Sequence, residues 1–139
     1  MEVNEFVLER LILKIGNRLS NRRKKDLAGI EVTSGQSETI LFFADHPGSL
    51  ITDLKDYLQI SHQAARLIIS RLEKRGLLES VVSPADARAR QIYLTAAGKK
   101  LCAELKQGGT MVGGILLQHL SAKERQELYR LLQKISLDL

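Results

Sequence analysis

Between Ser61 and Gly76 the apolar positions fall into a single helical stripe. Ala65, Ile68, Ile69 and Leu72 stand at i, i+3, i+4 and i+7, the spacing of a helix buried along one side. Ser61 offers an N-cap oxygen and Gly76 a stop. At about 100° per residue, the side opposite the stripe carries Gln63, Leu67, Ser70 and Lys74, flanked by Arg66 and Arg71. The period then changes. Leu78 to Val82 is rich in apolar and β-branched residues, and Gln91 to Leu94 alternates, with Ile92 and Leu94 on one face and Gln91 and Tyr93 on the other. Between them lies SPADARAR, in which Pro84 and Asp86 are turn residues. The pattern predicts a β-hairpin whose loop presents Arg88 and Arg90 with no apolar residue to bury them.

The outer face of the helix offers amide, hydroxyl, guanidinium and ammonium groups, which hydrogen-bond base edges and phosphates in a major groove wide enough for one α-helix. An ordinary solvated face has a similar composition. The basic fingertip that follows favours the first, because a polar helix beside such a hairpin is a winged helix-turn-helix pattern. Upstream, Thr33 or Ser34 begins a helix with Ile40, Leu41, Phe43 and Ala44 as its core residues, and Pro47 and Gly48 end it. A short helix over Thr52 to Leu58, with Leu54 and Leu58 inward, and a tight turn at Gln59 and Ile60 complete the helix-turn-helix core.

The two ends of the chain carry more apolar surface than one small domain covers. Val3, Phe6, Val7, Leu8, Leu11, Ile12, Leu13, Ile15 and Leu19 are too many for one stripe. Part of that surface is expected to be a subunit interface, the alternative being burial within the protomer. The basic run Arg22 to Lys25 could touch DNA, but is more simply a solvated helix end. After the wing, Thr95 caps a helix through Ala103 and Leu105 that meets Gly108, Gly109, Gly113 and Gly114. Each glycine inside a helix costs about 0.5 to 1 kcal/mol relative to alanine, so the cluster predicts a break, a kink or close helix packing, with a hinge between reader and dimer arm as its functional form and local looseness of no functional meaning as the simpler alternative. Ser121 and Glu124 form a capping box for a last helix whose stripe is Leu128, Leu131, Leu132, Ile135 and Leu139.

Charge is unevenly placed. The chain of 139 residues has net charge +5, which permits an anionic partner without requiring one. Residues 31–60 hold five acidic groups against one basic, net −4, whereas residues 61–90 hold six basic against three acidic, net +3. The positive charge returns where the polar helix and hairpin lie. No stretch approaches the roughly 18 apolar residues of a membrane helix, and Glu2, Glu5 and Glu9 stand where a signal peptide would be basic. The expectation is a cytoplasmic protein with no membrane partner. Cys102, alone, agrees with a reducing compartment and is read as a buried, inert thiol.

The ordered set of motifs resembles the MarR (multiple antibiotic resistance regulator) family of dimeric bacterial transcription factors. The run Leu72, Glu73, Lys74, Arg75, Gly76, Leu77 matches the end of that family's recognition helix; Asp86, Arg88, Leu94, Thr95 and Gly98 match its wing; Gln36 and His46-Pro47-Gly48 fall in familiar places. The resemblance implies a mainly α fold with a small β-hairpin wing: a winged helix-turn-helix over residues 31–98, with dimerisation helices in residues 1–30 and 99–139. It also implies a homodimer on double-stranded DNA, a repressor on a pseudo-palindromic operator with half-sites about one helical turn apart. By position, Ser61, Gln63, Arg66, Ser70 and Lys74 would read the major groove and Arg88, steadied by Asp86, the minor groove; His62, Arg71 and Arg90 lie beside them and complete the candidate DNA-binding set. Leu67 departs from the family's basic or polar residue, and would either touch a thymine methyl or turn inward. The family's small-molecule effector, often aromatic or anionic, would sit near Ile15, Phe42 and Phe43, which are equally ordinary core positions.

Other chemistries find little support. His46, His62 and His119 are scattered without ligand spacing, so no metal and no cofactor is expected. There is no nucleophile with a base at a recognised spacing and no phosphate-cradling loop, so no enzyme is expected. The rival is a winged-helix module that binds protein. Such a module would show aromatic or aliphatic groups on the outer helix face, where only Leu67 does so.

Overall fold

The computed structural model describes residues 2–138. Within them the order is α1 (Glu5–Ala28), α2 (Ser34–Asp45), α3 (Ile51–Leu58), α4 (His62–Lys74), β1 (Leu78–Val82), β2 (Arg90–Leu94), α5 (Ala96–Leu116) and α6 (Ala122–Lys134). The chain divides into two units, Met1–Leu105 and Lys106–Leu139.

In the first unit the stripe of α4 supplies the centre of the core. Ala65, Ile69 and Leu72 are buried and Ile68 packs against the cluster, joined by Ile40 and Phe43 of α2, Leu54 of α3 and Leu78, Ile92 and Leu94 of the hairpin. The predicted caps form. Thr33 and Gln36 make a reciprocal capping box at α2, and Ser61 Oγ accepts the Ala64 N–H at 3.0 Å. Gln59, in the left-handed region at φ 55°, makes the sharp turn from α3 to α4.

The strands pair antiparallel from Leu78↔Leu94 to Val82↔Arg90, and Ile92 and Leu94 face the core as the alternation required. Arg90 is the first residue of β2 and not part of the loop tip, because Val82 pairs with it. A third segment joins unannounced by the sequence. Gly48 N–H donates to Ile92 O at 2.9 Å and Ile92 N–H to Ser49 O at 3.0 Å. Gly48 has φ +84°, the left-handed conformation that favours glycine, and a Cβ there would lie 2.9 Å from the Tyr93 hydroxyl, which would have to shift to admit it.

Two expectations need correction. The run Arg22 to Lys25 is not merely a solvated helix end: Arg23 Nη2 donates to Ser37 Oγ at 2.7 Å and its guanidinium pairs with Glu38, which clamps α1 to α2. Ser37 is fully buried, and its hydroxyl also donates to Ser34 O at 2.8 Å, so this polar pair is satisfied. Second, α5 runs unbroken through Gly108, Gly109, Gly113 and Gly114. Its first turns are already fixed by Thr95 and by buried Leu101 and Cys102, and extending a formed helix adds a hydrogen bond per residue, which outweighs the glycine cost. No heavy atom lies within 4 Å of where a Cβ would stand on any of the four. Close packing within the protomer therefore does not explain them.

The apolar excess of α1 is left uncovered. Of its described residues only Leu27 is buried, while Phe6 is 71% exposed and Leu8, Leu11, Ile12, Leu13 and Ile15 are exposed too. In the second unit, the Ser121–Glu124 box caps α6, and Arg125 Nη2 donates to Leu117 O at 2.9 Å, tying α6 to the end of α5. None of α6 is buried; Tyr129, Leu131, Leu132 and Ile135 are exposed. Leu139, expected to extend this stripe, lies outside the described residues.

Candidate nucleic-acid interface

The run Leu72 to Leu77 shows how sequence places the site, since each residue has a separate task. Leu72 is buried in the core. Glu73 Oε1 accepts from Ser80 Oγ at 3.2 Å, which fixes the start of the hairpin against the end of α4. Lys74 is exposed and has no partner among the described residues. Arg75 turns away from it: Nη1 donates to Glu31 O at 2.9 Å, bracing the turn between α1 and α2. Gly76, at φ +74°, takes the left-handed conformation that stops the helix, and Leu77 enters the core.

The far end of the hairpin is tied to the same point. Thr95 Oγ1 donates to Gly76 O at 2.6 Å and accepts the Gly98 N–H at 3.1 Å, while the Thr95 N–H donates to Leu77 O at 3.1 Å. One threonine thus caps α5 and latches it to the stop of α4. Gly98 follows from the same closeness, because a Cβ there would lie 2.1 Å from Leu77 O. The roles of Glu73, Arg75, Thr95 and Gly98 are positional, and spacing alone carried no signal for the contacts of Glu73 and Arg75.

On this frame α4 shows its outer face. Ser61, His62, Gln63, Arg66, Ser70, Arg71 and Lys74 are all exposed. Apart from the cap made by Ser61, none of these side chains has a hydrogen-bond or ion-pair partner among the described residues. Unspent donors on one helical face are available to an external acceptor. Leu67, 50% exposed, stands outward among them and does not turn into the core.

The wing tip is held by Asp86. Its Oδ1 accepts the Arg88 N–H at 2.9 Å and its carbonyl accepts the Ala89 N–H at 3.0 Å, while Ser83 N–H donates to Ala89 O at 2.9 Å. The carboxylate therefore fixes the backbone of Arg88 and not its guanidinium, which pairs with no acid among the described residues. Arg88 is left as a cation on an exposed hairpin. Arg90 stands at the exposed start of β2.

The three residues expected near an effector stand in different settings. Phe43 is 1% exposed and belongs to the core. Phe42 is buried, with ring centroids 5.0 Å from His46 and 4.9 Å from Tyr57. Ile15 is exposed on α1. An open groove of about 600 Å³ is lined by α1 alone, including Phe6, Arg10, Leu13, Lys14 and Arg18, and none of the three expected residues lines it. No cluster of three metal-ligating side chains occurs among the described residues. Cys102 is buried. No helix of the described residues is long and apolar enough to cross a membrane.

A helix-turn-helix braced by a third helix, followed by a hairpin with a cationic tip, defines a winged-helix protein. Residues 28–89 match the MarR family. The transcriptional regulator HosA of Escherichia coli O111:H- is 30% identical over 105 residues, 76% of this chain and 78% of that protein. The chain belongs to the MarR family. Its fold is shared with wild-type MarR from E. coli in the apo form (TM-score 0.82, 24% identity, 96% of this chain and 98% of that one). A mutant MarR from E. coli complexed with operator DNA matches with TM-score 0.77 and 24% identity, over 95% of this chain and 98% of that one.

Proposed function

We propose that this protein is a homodimeric transcriptional repressor. Its α4 enters the major groove of a pseudo-palindromic operator and Arg88 reaches the adjacent minor groove. The observation that carries the reading is the joint presence of an α4 face with unspent donors and a hairpin on which the Arg88 guanidinium pairs with no acid among the described residues. Within that reading, Gln63, Arg66, Ser70 and Lys74 face base edges, and Ser61, His62, Arg71 and Arg90 lie toward the phosphates. Arginine suits a narrow, electronegative minor groove because its charge lies deep without needing one base.

Dimerisation rests on the uncovered apolar residues of α1 and α6, so that residues 1–30 and 99–139 serve as the dimer arms of the DNA-binding segment 31–98. Two copies place two α4 helices on one face of the duplex, about one helical turn apart. Repression follows from occupancy: a dimer covering its operator excludes another protein from the same DNA. A small-molecule effector releases the dimer by favouring a spacing of the two helices that no longer fits successive grooves. The protein acts in the cytoplasm and carries out no catalysis.

Salt dependence separates this reading from a protein-binding module. Binding to a duplex through several cations must weaken linearly in log affinity with log salt, with a slope of about −0.9 per phosphate neutralised. Fluorescence anisotropy with labelled genomic fragments between low and moderate salt is expected to show such a slope. Binding insensitive to salt, or no binding to any fragment at low salt, would contradict the proposal.

A further inference from the structure

Leu67 is the odd member of the α4 face. It stands on the same face as Gln63, Ser70 and Lys74, at the edge of their arc nearer Arg71, half exposed, and is not among the residues packed against the core. Single exposed leucines are ordinary on protein surfaces, but this one stands among the polar side chains of the face that α4 would turn to a groove. What it can contact there is restricted. The base edges in the major groove present mainly hydrogen-bonding nitrogens and oxygens, and beside the small C5–H of cytosine the one apolar group that projects into the groove is the 5-methyl of thymine. Pressing an isobutyl side chain onto N4, N6, O4 or O6 strips that atom of water without replacing the hydrogen bond, whereas pressing it onto a methyl buries apolar surface on both partners.

Resting on the DNA-binding reading above, we infer that Leu67 is a specificity-determining residue that reads a thymine methyl in each operator half-site. Gln63 lies one helical turn before it on the same face, and a side-chain amide pairs bidentately with adenine N6 and N7. Four residues of helix rise about 6 Å, close to two base steps of roughly 3.4 Å. The half-site core therefore places an adenine read by Gln63 within about two steps of the thymine read by Leu67.

The test begins with selection from unmethylated random-sequence DNA, which leaves thymine as the only source of a pyrimidine 5-methyl group. Each thymine of the enriched site is then replaced by uracil, which removes the methyl and keeps the pairing. Wild type is expected to lose affinity at one symmetry-related pair of thymines, by about fourfold per half-site, the ratio that one buried methyl supplies. Leu67→Ala should bind the thymine and uracil forms of that pair equally. Leu67→Gln, whose amide favours a hydrogen-bonding base edge, should enrich a site changed at that same pair. An enriched site in which no uracil replacement depends on residue 67 overturns this inference and leaves the DNA-binding reading standing. Failure to enrich any site overturns both.

Discussion

Gly98→Ala puts the geometry of the wing latch to a numerical test. The added Cβ would stand 2.1 Å from Leu77 O, where real Cβ contacts essentially never fall below 3.0 Å, so one of the two must move by about 0.9 Å. Neither is a flexible side-chain end. The Leu77 carbonyl accepts the Thr95 N–H, and the Gly98 N–H is held by Thr95 Oγ1, so the shift strains two hydrogen bonds. Overpacking costs about 1 to 3 kcal/mol, and a weakened hydrogen bond adds up to about 1 kcal/mol. Helix propensity returns about 0.5 to 1 kcal/mol, because alanine is the better helix former. The balance runs from near zero to a loss of about 3.5 kcal/mol, read as a lower urea midpoint at fixed protein concentration with an unchanged slope. A variant more stable than wild type would refute the account of this contact.

The same substitution should act oppositely elsewhere on α5. Gly108→Ala meets nothing within 4 Å in the protomer and should stabilise it by about 0.5 to 1 kcal/mol in thermal unfolding under dissociating conditions. Arg23→Ala leaves Ser37 and Glu38 without their partner, and should cost about 1 to 2 kcal/mol; a double-mutant cycle with Glu38→Ala isolates the pair. On α6, the hydrogen bonds from Arg130 hold the Glu127 carboxyl below the ordinary carboxylate range. Because that pKa is lowered on folding, the pairing is complete at neutral pH and is lost as pH falls through the lowered value. Carbon-detected NMR titration should show this, with Arg130→Gln raising the Glu127 midpoint.

What the sequence made legible follows from which contacts are local. Helix stripes and caps depend on residues three or four apart, and so Ala65, Ile69 and Leu72, the start of α2 at Thr33 or Ser34 and the Ser121–Glu124 box could be read directly. The buried face of β2 was accessible because Ile92 and Leu94 alternate with Gln91 and Tyr93, whereas the register, which pairs Arg90 with Val82, was not. Contacts across long separations were not. Arg75 to Glu31, Arg23 to Ser37 and Gly48 to Ile92 join elements whose approach no local pattern encodes. The glycines of α5 misled because propensity is a weak prior beside a helix already nucleated and anchored. At the candidate interface, the outward face of α4 was readable from periodicity. The division of labour between Lys74 and Arg75 was not, since adjacent cations look alike until one finds a carbonyl.

The most direct test of the central claim is selection of genomic fragments by the purified protein, comparing wild type with Arg88→Ala at two salt concentrations. The account predicts one pseudo-palindromic site with half-sites about one helical turn apart, weakened at the higher salt and lost with Arg88→Ala. Enrichment that is indifferent to Arg88 and to salt, or no enrichment at the lower salt, would contradict it and point to a winged helix that binds protein.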